Sequence, residues 1–165
     1  MRLYALQHIE IQRTIGNLTG PVADNARAAL HQLAHEADGQ VVGTALVALA
    51  EWDGLETPPS QELVELALVL AADIECAVDV RVTAIHAVGD RTLPLARTLA
   101  SDTEQPVHVR KAAIACIGKY GTNEDTETLQ QLASENFRIA QAAEPALKAI
   151  RHRETNGPAR EAISL

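Results

Sequence analysis

His35-Glu36 sets an imidazole beside a carboxylate, and His31, four residues earlier, shares a face with His35 if the stretch is helical. Two imidazoles at that spacing supply part of a zinc site, which needs three or four protein ligands. A di-iron centre needs more still, and no second His-Glu pair occurs in the chain. His31 and His35 are therefore expected to be solvated side chains, with no metal and no cofactor. Cys76 and Cys116 lie far apart and in no metal-ligand spacing, so they are expected as buried or half-buried thiols and not as a disulfide. The sequence carries no glycine-rich phosphate loop, Gly-x-Ser-x-Gly elbow or paired-cysteine knuckle. Asn17-Leu18-Thr19 has the glycosylation pattern, but without a secretory signal it is expected to be a turn. The protein is not expected to be an enzyme.

The charged residues with regular spacing are Asp73, Arg81, Asp102 and Arg110: each acid precedes its arginine by eight positions, and the two arginines are 29 apart. What surrounds them repeats as well. From Arg81 the residues three, four and seven further on are Ala84, Ile85 and Val88, and from Arg110 they are Ala113, Ile114 and Ile117, with Gly89 and Gly118 next in line. Each set is one apolar stripe of a 3.6-residue period, with a glycine placed to end the helix. Looser versions occur at Val42 (Ala45, Leu46, Leu49), at Ala140 (Ala143, Leu147) and at Arg2 (Ala5, Leu6, Ile9).

A second phrase alternates with the first. Leu33-Ala34-His35-Glu36, Leu70-Ala71-Ala72-Asp73, Leu99-Ala100-Ser101-Asp102 and Leu132-Ala133-Ser134-Glu135 all read Leu-Ala-x-acid, each closing an amphipathic run. Two interleaved phrases at periods of roughly 29–40 residues point to a repeated helical hairpin. Composition agrees: 165 residues, 47% hydrophobic but 2% aromatic, demand a core of Ala, Leu, Val and Ile. That mixture suits closely packed helices. Nine helices are predicted, at 2–16, 22–36, 40–52, 60–72, 79–89, 91–101, 106–120, 123–134 and 136–151. Pro94 and Pro106 fall at or near helix starts, Asn123 is a plausible cap, and Pro145 is expected to kink or break the last helix.

The residues Asp73…Val80-Arg81-x-x-Ala84-Ile85 and Asp102…Val109-Arg110-x-x-Ala113-Ile114 resemble those of HEAT-repeat proteins, particularly the short HEAT-like repeats named after phycobilin lyases. The resemblance spans nearly the whole chain and is strongest over 60–135. It implies a first helix ending in the acid, a second beginning with Val-Arg, and hairpins stacked in a row. The expected fold is thus all-α, a right-handed α-α superhelix of about four HEAT-like hairpins plus an N-terminal half-repeat. A domain at 1–151 would be followed by a flexible tail at 152–165. In such hairpins Asp73–Arg81 and Asp102–Arg110 are expected as structural ion pairs at the turns, with each guanidinium also bonding carbonyls at the end of the first helix. A second helix beginning at Arg2 has no first helix before it, so the chain is expected either to belong to a longer repeat protein or to use this helix as a cap.

Two enzymatic relatives of this architecture are weighed and set aside. Deoxyhypusine hydroxylases hold di-iron with several His-Glu pairs, where this chain has one. Trp52-Asp53 resembles the Trp and Asp used by helical-repeat DNA glycosylases, but those need a basic cleft. A net charge of −8, with no evident Lys/Arg stripe on the repeat helices, argues against nucleic acid as a partner.

Positions two, five and nine from the register point away from the core of each second helix. They are Tyr4, Gln7, Ile11, Thr44, Val47, Glu51, Thr83, His86 and Asp90, then Ala112, Ala115, Lys119, Ala142 and Pro145. Several are apolar, which a solvated face does not favour. The expected function is a non-catalytic scaffold or adaptor that binds a protein or peptide on the concave face, with Tyr4, Gln7, Val47, Glu51, His86 and Lys119 as candidate contacts. The alternatives are an acidic inhibitor or immunity protein for a basic partner, and a bilin lyase-type accessory protein. No apolar run approaches the roughly 18 residues of a membrane span, and the opening "MRLYALQHIEIQR" is too charged for a signal peptide, so no membrane and a cytoplasmic location are expected.

Overall fold

A computed structural model of the chain describes residues 2–36, 38–53 and 59–156. Among them nine α-helices and no strands occur: α1 (Arg2–Thr14), α2 (Gly20–Leu33), α3 (Gly39–Asp53), α4 (Gln61–Ala72), α5 (Val78–Ala87), α6 (Leu93–Ser101), α7 (Val107–Tyr120), α8 (Thr126–Glu135) and α9 (Phe137–Asn156). Short 3-10 turns precede α6 at Gly89–Thr92 and α8 at Asn123–Asp125. The all-α helical-repeat architecture expected from the two phrases is what forms.

Local chemistry sets the boundaries. Ser60 caps α4 through its hydroxyl, which accepts from the Leu63 N–H at 3.3 Å, and Asn136 Oδ1 accepts from Arg138 and Ile139 at 3.0 and 3.2 Å to open α9. Gly89, at φ +62°, ends the α5 segment as its position predicted. Three expectations are corrected. Gly118 is not a terminator: α7 runs on to Tyr120 and stops at Gly121. The cap before α8 is Thr122, in a reciprocal capping box with Asp125, and not Asn123. Pro145 lies inside α9 as expected without breaking it, and the helix runs to Asn156, past the predicted end at 151. Of the predicted tail, residues 157–165 lie outside the described residues, as do 54–58 of the α3–α4 connection.

The chain divides into two compact units, Met1–Val88 and Gly89–Leu165. In the first, α2 packs on α3 and α4 on α5 as hairpins, while α1 and α5 both lie against α3. Its core is Leu6, Leu30, Ala45, Leu46, Leu49, Leu63, Ala67, Ala84 and Ile85. In the second unit α6 packs on α7, α8 on α9, and α7 on α9. The predicted stripe Ala113, Ile114, Ile117 is buried there, as are Leu99, Leu129, Ile139 and Ala143. With so few aromatics the helices approach closely. A Cβ built on Gly118 would stand 2.7 Å from the Ala146 Cβ and 2.8 Å from its Cα.

The turns reuse one device. Arg81 and Arg110 are only 2% and 4% exposed. Each sends its Nε–H to the carbonyl ten residues earlier: Arg81 to Ala71 at 3.0 Å, and Arg110 to Ala100 at 2.9 Å. These are last-turn carbonyls of α4 and α6, left without intrahelical donors. The acids also bond within the turns. Asp73 accepts from the Glu75 N–H at 2.9 Å and the Cys76 thiol at 3.5 Å; Asp102 accepts from the Glu104 N–H at 3.0 Å and Gln105 Nε2 at 2.8 Å. Both therefore fold the loop after the helix. The carboxylate seen holding Arg110 is Glu135, from the following Leu-Ala-x-acid phrase, with both oxygens 2.9 Å from Nη2. The arginine thus ties α7 to the hairpin after it as well as to α6 before it.

Arg97 and Asp125 form a further pair in the second unit, at 2.7 and 3.0 Å, linking α6 to the capping box before α8. Burial alone would raise the Asp125 carboxyl, but the Arg97 guanidinium and the Thr122 N–H outweigh it and hold the group below its usual value of 3.8.

These outcomes follow from the packing. Gly118→Ala should destabilise by about 1–3 kcal/mol in urea unfolding through the clash with Ala146. Gly43→Ala, whose new Cβ would meet only Thr83 Oγ1 at 3.9 Å, should gain about 0.5–1 kcal/mol from helix propensity. Arg110→Met should cost about 2–3 kcal/mol, since it strands the Ala100 carbonyl and uncompensates Glu135. Glu135→Gln, at a more exposed partner, should cost about 1 kcal/mol or less. Because the folded Asp125 carboxyl is depressed, its contribution is full above the ordinary carboxylate value and is lost as pH falls through the folded value. Urea midpoints measured against pH should show this acid-side loss, and Asp125→Asn should remove its share of it.

Candidate protein-interaction site

Several of the positions predicted to face away from the core line open grooves between second helices within each unit. In the first, α3 and α5 lie side by side and leave a groove of about 690 Å³ walled by Val47, Ala50, Glu51, Val82, Thr83, His86 and Ala87, with Arg13 entering from α1. Val47, on the second-helix row, is 44% exposed, a large fraction for an aliphatic residue on a packed helix. Arg13 Nη2 donates to Glu51 Oε2 at 3.0 Å across one wall, so this acid arrives already paired. Val47, Glu51 and His86 are thus brought together, along with Thr83. Tyr4 and Gln7 are exposed on α1 outside those walls, and the Tyr4 ring stacks on His8 at 6.3 Å between centroids.

In the second unit the corresponding helices are α7 and α9. Their groove, about 490 Å³, is walled by Ala115, Gly118, Lys119, Gln141, Ala142, Pro145, Ala146, Ala149 and Arg153. It gathers the predicted Ala115, Lys119, Ala142 and Pro145. Ala112 is the exception, buried where the register placed it outward. α7 is covered by both α6 and α9, so its buried arc is wider than one stripe. Arg153, which the sequence gave no reason to single out, reaches over the end of α7 and donates to the Gly118 and Gly121 carbonyls at 2.6 and 2.8 Å. Lys119 stands 5.0 Å from the centre of the Tyr120 ring.

The residues weighed for chemistry are dispersed or otherwise engaged. His31 and His35 line a polar groove between α2 and α4 with Asp24, Arg27 and Glu62, and His31 Nε2 lies 3.7 Å from Glu62 Oε2. Among the described residues no three His, Cys, Asp or Glu side chains are grouped so as to hold a metal ion. Trp52 lies at the end of α3, and the side chain of Asp53 is outside those described. Cys76 is half-buried and Cys116 buried, both as free thiols. Burial, followed by nearby Asp90, pushes the Cys116 thiol up to about 11, away from the reactive thiolate. No helix of the described residues is long and apolar enough to cross a membrane.

No curated protein and no solved structure matches the chain. Residues 68–148, from within α4 to within α9, match the family model of the HEAT repeats. That span contains both Val-Arg phrases, both buried arginines and the Arg110–Glu135 tie. By this match and by the hairpins it describes, residues 68–148 are HEAT repeats.

Proposed function

We propose that the protein is a non-catalytic interaction module, binding a protein or peptide segment along the exposed faces of its second helices, the row the sequence expects to be concave. One observation carries this reading: residues placed on a single row by the repeat register converge, within each unit, on a groove whose walls are mostly aliphatic. Exposed aliphatic side chains at Val47 and Ala115 cost solvation in the free protein and gain it back when covered. HEAT repeats commonly serve as interaction scaffolds, which agrees with the reading. The finer candidates divide by position: Val47, Glu51 and His86 for the first groove, Lys119 for the second, with Tyr4 and Gln7 as contacts of a partner that extends onto α1.

Selection of random displayed peptides on the purified protein tests the proposal. Enriched peptides should lose about tenfold or more in affinity on Val47→Glu or Ala115→Glu, each placing a charge in an aliphatic wall. Val69→Glu, on the first helix α4 at a site 66% exposed, should leave binding unchanged. Peptides that ignore both groove variants and are lost with Val69→Glu would place binding on the other side of the hairpins and overturn the reading.

A further inference from the structure

The helices that wall the second groove are charged unlike the rest of the chain. α7 and α9 hold seven of the 14 Lys and Arg residues but only two of the 22 Asp and Glu. Their net charge is +5 in a protein of −8, which leaves −13 for everything else. The expectation that the repeat helices carry no Lys/Arg stripe is thus corrected on α7 and α9: α7 contains no acid at all.

The cations are also ordered along the groove. On α7, Lys111, Ala115 and Lys119 follow at four-residue steps; on α9, Arg138, Ala142, Pro145, Ala149 and Arg153 follow at steps of three and four. Lys119 and Arg153 stand in the groove walls, while Lys111 and Arg138 continue the same two faces toward the helix starts. By the same register Glu144 and Glu154, the two acids of α9, fall off this row. The middle is uncharged and small. One further polar group lies there: Pro145 has no N–H, so the Gln141 carbonyl on the groove wall lacks the donor a continuous helix would give it.

We propose that the α7/α9 groove docks an acidic amphipathic peptide segment. Its apolar side chains would lie over Ala115, Ala142, Ala146 and Ala149, its carboxylates would reach Lys119 and Arg153 at one end and Lys111 and Arg138 at the other, and the Gln141 carbonyl would accept a donor between them. Charge complementarity selects this occupant. A phosphate backbone is disfavoured because the floor is aliphatic and no aromatic ring in these walls offers a base a stacking surface.

The proposal rests on the interaction reading above and narrows it to one charge class, and the test separates the two. Peptides enriched on the wild-type protein are compared with those enriched on Lys119→Glu/Arg138→Glu, two exposed changes whose folding is checked by thermal melting. Fluorescence anisotropy then compares a synthetic Leu-rich peptide carrying Glu, its Lys-for-Glu counterpart and a single-stranded oligonucleotide. Enrichment of acidic apolar peptides, with affinity falling about tenfold or more in the double variant and in the Lys counterpart, is the expected result. Neutral or basic peptides, indifferent to the double variant but lost with Val47→Glu, would overturn this proposal and leave the interaction reading standing. Tighter binding of the oligonucleotide would replace it with nucleic-acid binding, and the absence of any enriched peptide would defeat both.

Discussion

An α-helix ends with carbonyls that have no donors, and a repeat that stacks short helices buries such an end at every turn. This chain meets the constraint with an arginine opening the next helix, its Nε–H on the carbonyl ten residues back, at Arg81 and again at Arg110. A buried guanidinium in turn requires a counter-charge, and Glu135 supplies it for Arg110 from the following hairpin. The Arg110 turn is thus completed in part by the hairpin after it, so stacking there is a chemical requirement of the turn as well as a way to bury apolar stripes.

Because turns and stripes do the structural work, the remaining faces of the second helices are left free of it. α3 and α5 present Val47, Thr83 and His86 to a groove, and α7 and α9 present Ala115, Lys119, Ala142 and Pro145. The close approach of α7 and α9 at Gly118 and Ala146 makes the second groove's floor small and shallow, while Arg153 joins the end of one helix to the flank of the other.

The architecture was legible because its signals are local and periodic. The Val-Arg and Leu-Ala-x-acid phrases marked the paired helices, and their stripes are buried as placed. What was missed depends on distances between elements. The spacing did not show that Asp73 and Asp102, each ending a helix, accept from backbone N–H groups and fold the loop after it. The Arg97–Asp125 tie spans 28 residues and has no counterpart in the repeat pattern. Gly118 resembled a terminator because its role, admitting Ala146, is visible only once the helix crossing is known. The groove residues were placed individually by the register; their convergence, and the basic character of α7 and α9 within an acidic chain, emerged only when those helices stood side by side.

The most direct measurement is backbone amide NMR shift mapping on the labelled protein during titration with a selected peptide. The account predicts that perturbations concentrate on the second-helix faces, at Ala115, Lys119, Ala142 and Ala149 for an acidic peptide, with α4, α6 and α8 little changed. Perturbations centred on the exposed faces of those first helices, with α3, α5, α7 and α9 silent, would contradict it.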